Sequence, residues 1–212
     1  MHLLEKFLSE ELKIKETDLF LKLFSEYQTL LLEWNYKINL ISRKSDSIEN
    51  HILNSIFFLT KYPLTGKESI VDVGTGGGFP GIPLKILYPE LSLTLLDSIT
   101  KKTMVLEDIT QKLGLDAVIL SGRAEEISLK PNFNGNFEVV ISKAVSTLEN
   151  LYQWTNKFLS DKGKMICIKG GDITKELGSF NVTFPGIHTE TIDYSFPSEY
   201  NIEDKKIVVI NK

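Results

Sequence analysis

The sequence predicts an α/β protein with a mostly parallel central sheet, helices on both faces and an N-terminal helical extension. Two observations support this prediction. Beyond residue 62 the chain alternates short apolar runs with helix-length segments, whereas the part before it has helical periodicity and no such runs. This alternation is typical of parallel strands joined by crossover helices. We therefore expect an extension over residues 1–62 that packs on a core over residues 63–212.

The N-terminal extension is predicted to contain at least two helices. Apolar residues recur at 3.6-residue spacing from Phe20 to about Trp34, which is the pattern of an amphipathic helix. A second helix is expected from Ser47 to Lys61. We interpret the apolar stripe of the first helix as core packing; it consists of Leu23, Tyr27, Leu30, Leu31 and Trp34.

The core is predicted to contain six strands. Each is a short run, mostly of Val, Ile and Leu, bounded by turn residues. The runs are SIVDV (69–73), LSLTLLD (91–97), DAVILS (116–121), FEVVIS (137–142), KMICIK (164–169) and KIVVIN (206–211). Helices are expected between them at 81–87, 100–113 and 147–159.

Composition and charge exclude several classes of function. The net charge of −4 offers nucleic acid no general attraction, so a polyanion needs a local basic patch. Cys167 is the only cysteine, which excludes a disulfide framework, and the histidines show no metal-ligand spacing. No apolar run approaches the roughly 20 residues that span a bilayer, and the first residues do not read as a secretory segment. We expect a soluble, cytoplasmic, metal-free monomer.

A glycine-rich turn directly follows the first predicted strand. The chain passes through Gly74, Gly76, Gly77 and Gly78 where a parallel sheet presents the carboxyl ends of its strands. Ligands of such sheets bind at this edge, and glycine lets a ligand approach the backbone closely. The turn therefore predicts a ligand site.

Phosphate ligands fit this turn poorly. No lysine follows Gly81 as a phosphate-cradling loop requires. Three of the glycines match a dinucleotide fingerprint literally. Counted from the strand end, however, the pattern starts at Gly74 and puts Phe79 where a third glycine should pack the helix on the strand. Pro80 and Pro83 also remove N–H donors that a pyrophosphate needs.

Two acidic residues favour a cationic nucleoside instead. Asp72, at the end of the first strand, would be costly to bury without a positive partner, and Asp97, at the end of the second, is placed to accept from ribose hydroxyls. Together with the turn they describe a site for S-adenosylmethionine. Ala124 and Glu125, after the third strand, are candidates to contact adenine. The alternatives are that Asp72 caps local backbone, that Asp97 caps the following helix and that residues 121–127 form an ordinary exposed turn.

Longer motifs resemble a known family. VDVGTGGGFPGIPL, LLDSITKK, GRAEE, VISKAVS and IKGG, with NLIS and HILNS upstream, look like the small-subunit ribosomal RNA methyltransferase G family (RsmG, or GidB). The resemblance covers the chain from about Trp34 onwards. It implies a class I S-adenosylmethionine-dependent methyltransferase fold and methylation of N7 of one guanine in the decoding region of 16S rRNA. It also implies cofactor contacts at Gly74, Phe79, Ala124, Glu125 and Lys143, to which the chemistry above adds Asp72, Gly76 and Asp97.

The chain departs from the family pattern at two positions. Lys143 replaces an arginine, which keeps the charge and loses the planar fork, and Asn54 replaces an acid in HILNS. Basic residues for RNA are few. The expected substrate-binding residues are Asn39, Arg43, Lys44, His51 and Lys169.

The implied reaction needs no catalytic side chain. Guanine N7 has a lone pair and no proton, so alignment with the methyl group is expected to provide most of the rate enhancement. We expect no single catalytic residue. Three alternatives remain open at this point: a methyltransferase for another substrate, a non-catalytic ribosome-binding protein and an NAD-dependent oxidoreductase.

Overall fold

The computed structural model describes residues 1–38, 40, 47–200 and 202–212. Within these residues the chain forms a seven-stranded sheet of order β3-β2-β1-β4-β5-β7-β6. The strands are β1 Ser69–Val73, β2 Ser92–Asp97, β3 Ala117–Ser121, β4 Phe137–Lys143, β5 Leu159–Gly170, β6 Thr189–Tyr194 and β7 Lys205–Asn211. The α-helices are α1 His2–Lys6, α2 Asp18–Lys37, α3 Ile48–Ile56, α4 Gly81–Leu87, α5 Thr100–Lys112, α6 Ala124–Ile127, α7 Leu148–Thr155 and α8 Thr174–Thr183.

The first five strands pair in parallel, and β7 pairs antiparallel with both β5 and β6. All six predicted runs are strands, which confirms the mostly parallel sheet. The sequence analysis missed β6 because its residues, TETIDY, are mostly polar and lie at the edge of the sheet. The third predicted crossover helix was too long: α7 ends at Thr155, and Leu159 already begins β5.

Helices cover both faces of the sheet, as predicted. Alternate residues of a strand point to opposite faces, so Ile70 and Val71 of β1 lie in different buried clusters. The first cluster contains residues of α1 to α5, and the second contains residues of α6, α7 and α8. No helix among the described residues is long and apolar enough to cross a membrane.

The N-terminal helices pack on the sheet at the glycine-rich turn. Helix α2 buries Tyr27 and Leu31 as predicted, but its third fully buried residue is Phe24 rather than a member of the predicted stripe. The Tyr27 hydroxyl donates to the carbonyl oxygen of Gly77 at 2.7 Å. Trp34 Nε1 donates to Asp108 Oδ2 at 2.7 Å, which ties α2 to α5. The domain boundary at residue 62 stays a prediction.

Candidate functional site

The glycine turn after β1 uses backbone conformations that favour glycine. Gly74, Gly76 and Gly78 have φ values of 71°, 58° and 99°. At Gly76 the space above the backbone is open, as expected for ligand approach. At Gly74 a Cβ would lie 2.6 Å from Val145 Cγ2, so this glycine packs against a side chain, and its predicted cofactor contact stays a prediction. The turn is therefore open to a ligand at one glycine and covered by a side chain at the other.

Gly81 fills the packing position that the sequence analysis found vacant. A Cβ on this residue would overlap Leu95 Cδ2 of β2 and would lie 2.9 Å from Asp72 Oδ2. Helix α4 therefore approaches the sheet through a glycine after all, two residues later than the fingerprint predicts. The Gly81 N–H donates to Asp72 Oδ2 at 2.8 Å, and the Ile82 N–H donates to the Gly78 carbonyl at 2.7 Å. These donors are not available to a pyrophosphate.

Asp72 is fully buried beneath the turn. Its Oδ2 accepts from Thr75 Oγ1 at 2.7 Å and from the Gly81 N–H, whereas its Oδ1 has no hydrogen-bond partner among the described residues. Burial raises the pKa of this carboxyl to about 7, although the Thr75 and Gly81 donors and the positive charge of Lys143 oppose the rise. Asp72 thus has one oxygen held by the protein and one left for a positive partner.

Asp97 ends β2 and joins the turn to the next helix. Its Oδ2 accepts from the Gly76 N–H at 3.0 Å, and its Oδ1 accepts from the Ile99 N–H at 2.9 Å, just before α5. Asp97 thus binds local backbone, but the N–H before α5 that it accepts from belongs to Ile99, so it does not cap the N–H groups of the helix itself. The residue is only 6% exposed, yet it lines a cavity, so the same carboxylate remains a candidate for ribose hydroxyls.

The first cavity lies at the carboxyl ends of β1, β2 and β3. It brings together four of the predicted cofactor residues from three separate segments: Gly74, Asp97, Ala124 and Glu125. Val145 and Trp154 complete its wall and were not predicted as site residues, because neither carries polar chemistry that marks it in the sequence. The cavity has a volume of about 80 Å³, which is enough for part of a nucleoside. Val145, which also lines it, packs over Gly74.

A second cavity, of about 330 Å³, lies beyond the ends of β4 and β5 and the start of β7. Its wall includes His51, Asn54, Lys143, Lys169 and Lys205. Lys143 and His51 were expected in different sites, and the structure brings them to the same one. Lys205 was missed, since KKIVVIN reads simply as a strand with a charged start.

Phe79 lies beneath the second cavity. Its ring is 5% exposed and packs between Tyr27 and His51, with ring centroids 5.5 and 5.6 Å away. The Lys143 ammonium lies 5.0 Å from its centroid, a cation–π distance. The aromatic face is therefore occupied by protein groups. Phe79 and Lys143, both expected to contact the cofactor, line no part of the first cavity.

The Lys169 ammonium is held inside the protein. It donates to the Ser146 carbonyl and to Glu176 Oε1, both at 2.6 Å, and its side chain is 10% exposed. Glu176 Oε1 also accepts from the Leu148 N–H at 2.5 Å. The pair ties the end of β5 and helix α8 to the segment between β4 and α7, which carries Val145 and directly follows Lys143. The lysine predicted to bind substrate thus has a protein partner for its charge.

Three of the predicted substrate residues, Asn39, Arg43 and Lys44, lie outside the described residues. Within the described part of the chain, no group of three or more His, Cys, Asp or Glu side chains is arranged to hold a metal ion.

The residues present fit S-adenosylmethionine. The buried Oδ1 of Asp72 has no partner, the N–H donors of the α4 terminus are already used, and Asp97 and Glu125 place carboxylates at the first cavity. This set suits a positively charged nucleoside without phosphate.

The sheet order, with its antiparallel β7, and the site at the strand ends define a class I S-adenosylmethionine-dependent methyltransferase fold. Solved structures agree: an O-methyltransferase from Bacillus cereus, in complex with SAH, matches with a TM-score of 0.60 at 13% identity, covering 99% of this chain and 97% of that one. The chain belongs to the rRNA small subunit methyltransferase G (GidB) family, whose sequence model matches residues 21–194.

Individual relatives support this membership. The ribosomal RNA small subunit methyltransferase G of Thermoanaerobacter sp. (strain X514) is 39% identical over 171 residues, which are 77% of this chain and 71% of that protein. The protein of the same name from Lactococcus lactis subsp. lactis (strain IL1403) is 35% identical over 217 residues, covering 98% of this chain and 90% of that protein.

Proposed function

We propose that this protein transfers a methyl group from S-adenosylmethionine to N7 of a guanine in the decoding region of 16S rRNA. Membership of the family supports a ribosomal RNA methyltransferase, and the resemblance of the motifs supports guanine N7 as the acceptor. The structural observation that carries the proposal is the first cavity, which Asp97 and Glu125 both line at the carboxyl ends of β2 and β3.

The proposed cofactor residues divide into two groups. Gly74, Asp97, Ala124 and Glu125 line the first cavity directly, and we assign its two carboxylates to hydroxyl and amino groups of a nucleoside. The others do not line this cavity: Asp72 and Gly76 belong to the strand end and the turn beside it, whereas Phe79 and Lys143 lie at the second cavity. When bound, S-adenosylmethionine supplies an electrophilic methyl group on a positively charged sulfur.

The residues of the chain act by orientation rather than by proton transfer. Guanine N7 carries no proton, so no side chain has to remove one. The segment from Lys143 to Val145 borders both cavities: Lys143 and Ala144 line the second, and Val145 lines the first. Residues at this border would hold the base of the substrate in line with the methyl donor, and this alignment is the main catalytic contribution.

The substrate side of the proposal includes Asn39, Arg43, Lys44, His51 and Lys169. His51 lines the second cavity, and Lys169 shapes it through its bonds to Ser146 and Glu176. We further propose that the protein acts as a cytoplasmic monomer, where its ribosomal substrate is found.

Methyl transfer from labelled S-adenosylmethionine tests the proposal. Unmodified small ribosomal subunits, naked rRNA and a metabolite pool are offered in parallel, and the labelled RNA is digested to nucleosides. Label in 7-methylguanosine is the expected result. Binding of S-adenosylmethionine without any label in RNA would contradict the proposed substrate and favour a ribosome-binding protein or another acceptor.

A further inference from the structure

The second cavity has a positive wall on its sheet side. Lys143 ends β4, Lys169 lies near the end of β5, and Lys205 begins β7. No acidic residue lines the cavity within the described part of the chain. Glu176 pairs with Lys169 and neutralises one of the three positive charges. The wall is therefore suited to an anion.

Lys205 is the lysine best placed to meet an anion from outside. It forms no ion pair with a described residue, whereas the next residue, Lys206, pairs with Asp193 Oδ1 at 3.2 Å. Its Nζ would lie 3.3 Å from a Cβ on Gly170, so the absent side chain of that glycine leaves room for the ammonium group. Gly170 and Lys205 are direct partners in the β5–β7 ladder.

The position of the cavity fixes which end of a nucleotide faces Lys205. Ala144 lines the second cavity and its neighbour Val145 lines the first, so the two cavities meet at this segment. A base that receives a methyl group from the first cavity must lie at this end, beside Lys143. Strand β5 separates β4 from β7, which puts the backbone of Lys205 about 10 Å further away, or two interstrand spacings.

We propose that the second cavity receives the target nucleotide, with a backbone phosphate contacting Lys205. This inference rests on the proposed function. The helix side of the cavity, formed by His51 and Asn54 one turn apart on α3, then faces the base. Asn54 Oδ1 is buried and has no hydrogen-bond partner among the described residues. Its amide accordingly has an unused acceptor beside the base end of the cavity.

The test compares Lys205→Ala with Lys206→Ala, which removes the same charge one residue away on the opposite face of β7. Methyl transfer to unmodified small subunits is measured at several salt concentrations. For Lys205→Ala we expect the KM for subunits to rise about tenfold, with KM for S-adenosylmethionine unchanged. The slope of log KM against log salt should become shallower by about 0.7 to 0.9, the effect of one lost phosphate contact. Lys205→Arg should restore both values, and Lys206→Ala should resemble the wild type.

Equal behaviour of the two alanine variants overturns the inference. A raised KM of Lys205→Ala for subunits with an unchanged salt slope also overturns it, because Lys205 would then contact the base and not a phosphate. A loss of S-adenosylmethionine affinity would also overturn it, because Lys205 would then act through the cofactor. Binding of subunits in the presence of S-adenosylhomocysteine is measured for each variant. If the wild type transfers no methyl group, the proposed function fails, and the salt slopes of binding still decide the role of Lys205.

Discussion

Replacing Asp72 with asparagine should stabilise the folded protein above neutral pH while weakening cofactor binding. The carboxyl is fully buried, and burial raises its pKa from an ordinary 3.8 to about 7. The folded state therefore holds this proton more tightly than the unfolded state does. The associated stability is fully present below pH 3.8 and is lost as the pH rises through 7, where the folded protein must bury a charge.

The expected gain can be worked out from this shift. A difference of about 3 pKa units corresponds to about 4 kcal/mol, since each unit is about 1.4 kcal/mol. Asparagine avoids this cost and can still accept from Thr75 and Gly81 through its own oxygen. Its amide nitrogen takes the place of the partnerless Oδ1 and requires an acceptor, which costs about 1 to 3 kcal/mol. The net gain at pH 8 is about 2 kcal/mol. At pH 4.5 the buried carboxyl costs the wild type only about 1 kcal/mol, so the variant should be less stable than the wild type by about 1 kcal/mol.

Urea denaturation of both proteins at pH 4.5, 6 and 8 measures this difference, with the exposed Glu126→Gln as a control for removing a negative charge. Titration with S-adenosylmethionine should show about tenfold weaker binding by the variant. The wild-type affinity should rise as the pH passes through about 7 and level off above it, because only the charged carboxylate attracts a cation. A variant equally destabilised at pH 4.5 and at pH 8 would refute the reasoning.

Three further outcomes follow from the packing. Gly81→Ala should destabilise the protein by about 2 kcal/mol because its Cβ overlaps β2, whereas Gly178→Ala, with no atom near its Cβ, should be neutral or stabilising in urea melts. Lys169→Met should lower the melting temperature by leaving Glu176 without its partner, and adding Glu176→Gln should recover part of the loss. A double variant with a melting temperature no higher than that of Lys169→Met would contradict this. Cys167, whose pKa burial raises to about 12, should react with a thiol reagent only after unfolding.

The strands of the core could be predicted because parallel strands buried on both faces are continuous apolar runs. All six apolar runs form strands, although β7 is antiparallel and β3 lies at the edge of the sheet and is only partly buried. The prediction failed for β6, which is a polar edge strand, and for the end of the segment at 147–159, where the chain changes from helix to strand at Leu159. The local sequence pattern is enough to predict an apolar strand. A polar edge strand, or the point where a helix is followed by a strand, depends on pairing with a neighbouring strand.

The residues of the candidate site could be predicted where they directly follow the ends of strands. Gly74, Asp97, Ala124 and Glu125 follow three different strands, and a parallel sheet brings such positions to one edge. Lys143 also ends a strand, but its side chain lies over Phe79 in the second cavity. Which way a side chain turns from a strand end depends on what packs beside it, and the sequence does not contain that information locally.

The sequence by itself determined the fold class and excluded a phosphate loop, and it predicted which edge of the sheet binds the ligand, because these depend on local pattern and on residue type. Only the tertiary structure decided how the lysines are used. Lys169 is engaged by Glu176 and Ser146, whereas Lys205 borders a cavity beside Gly170. Identical side chains acquire different roles because the charge of each is matched, or left unmatched, by residues distant in sequence.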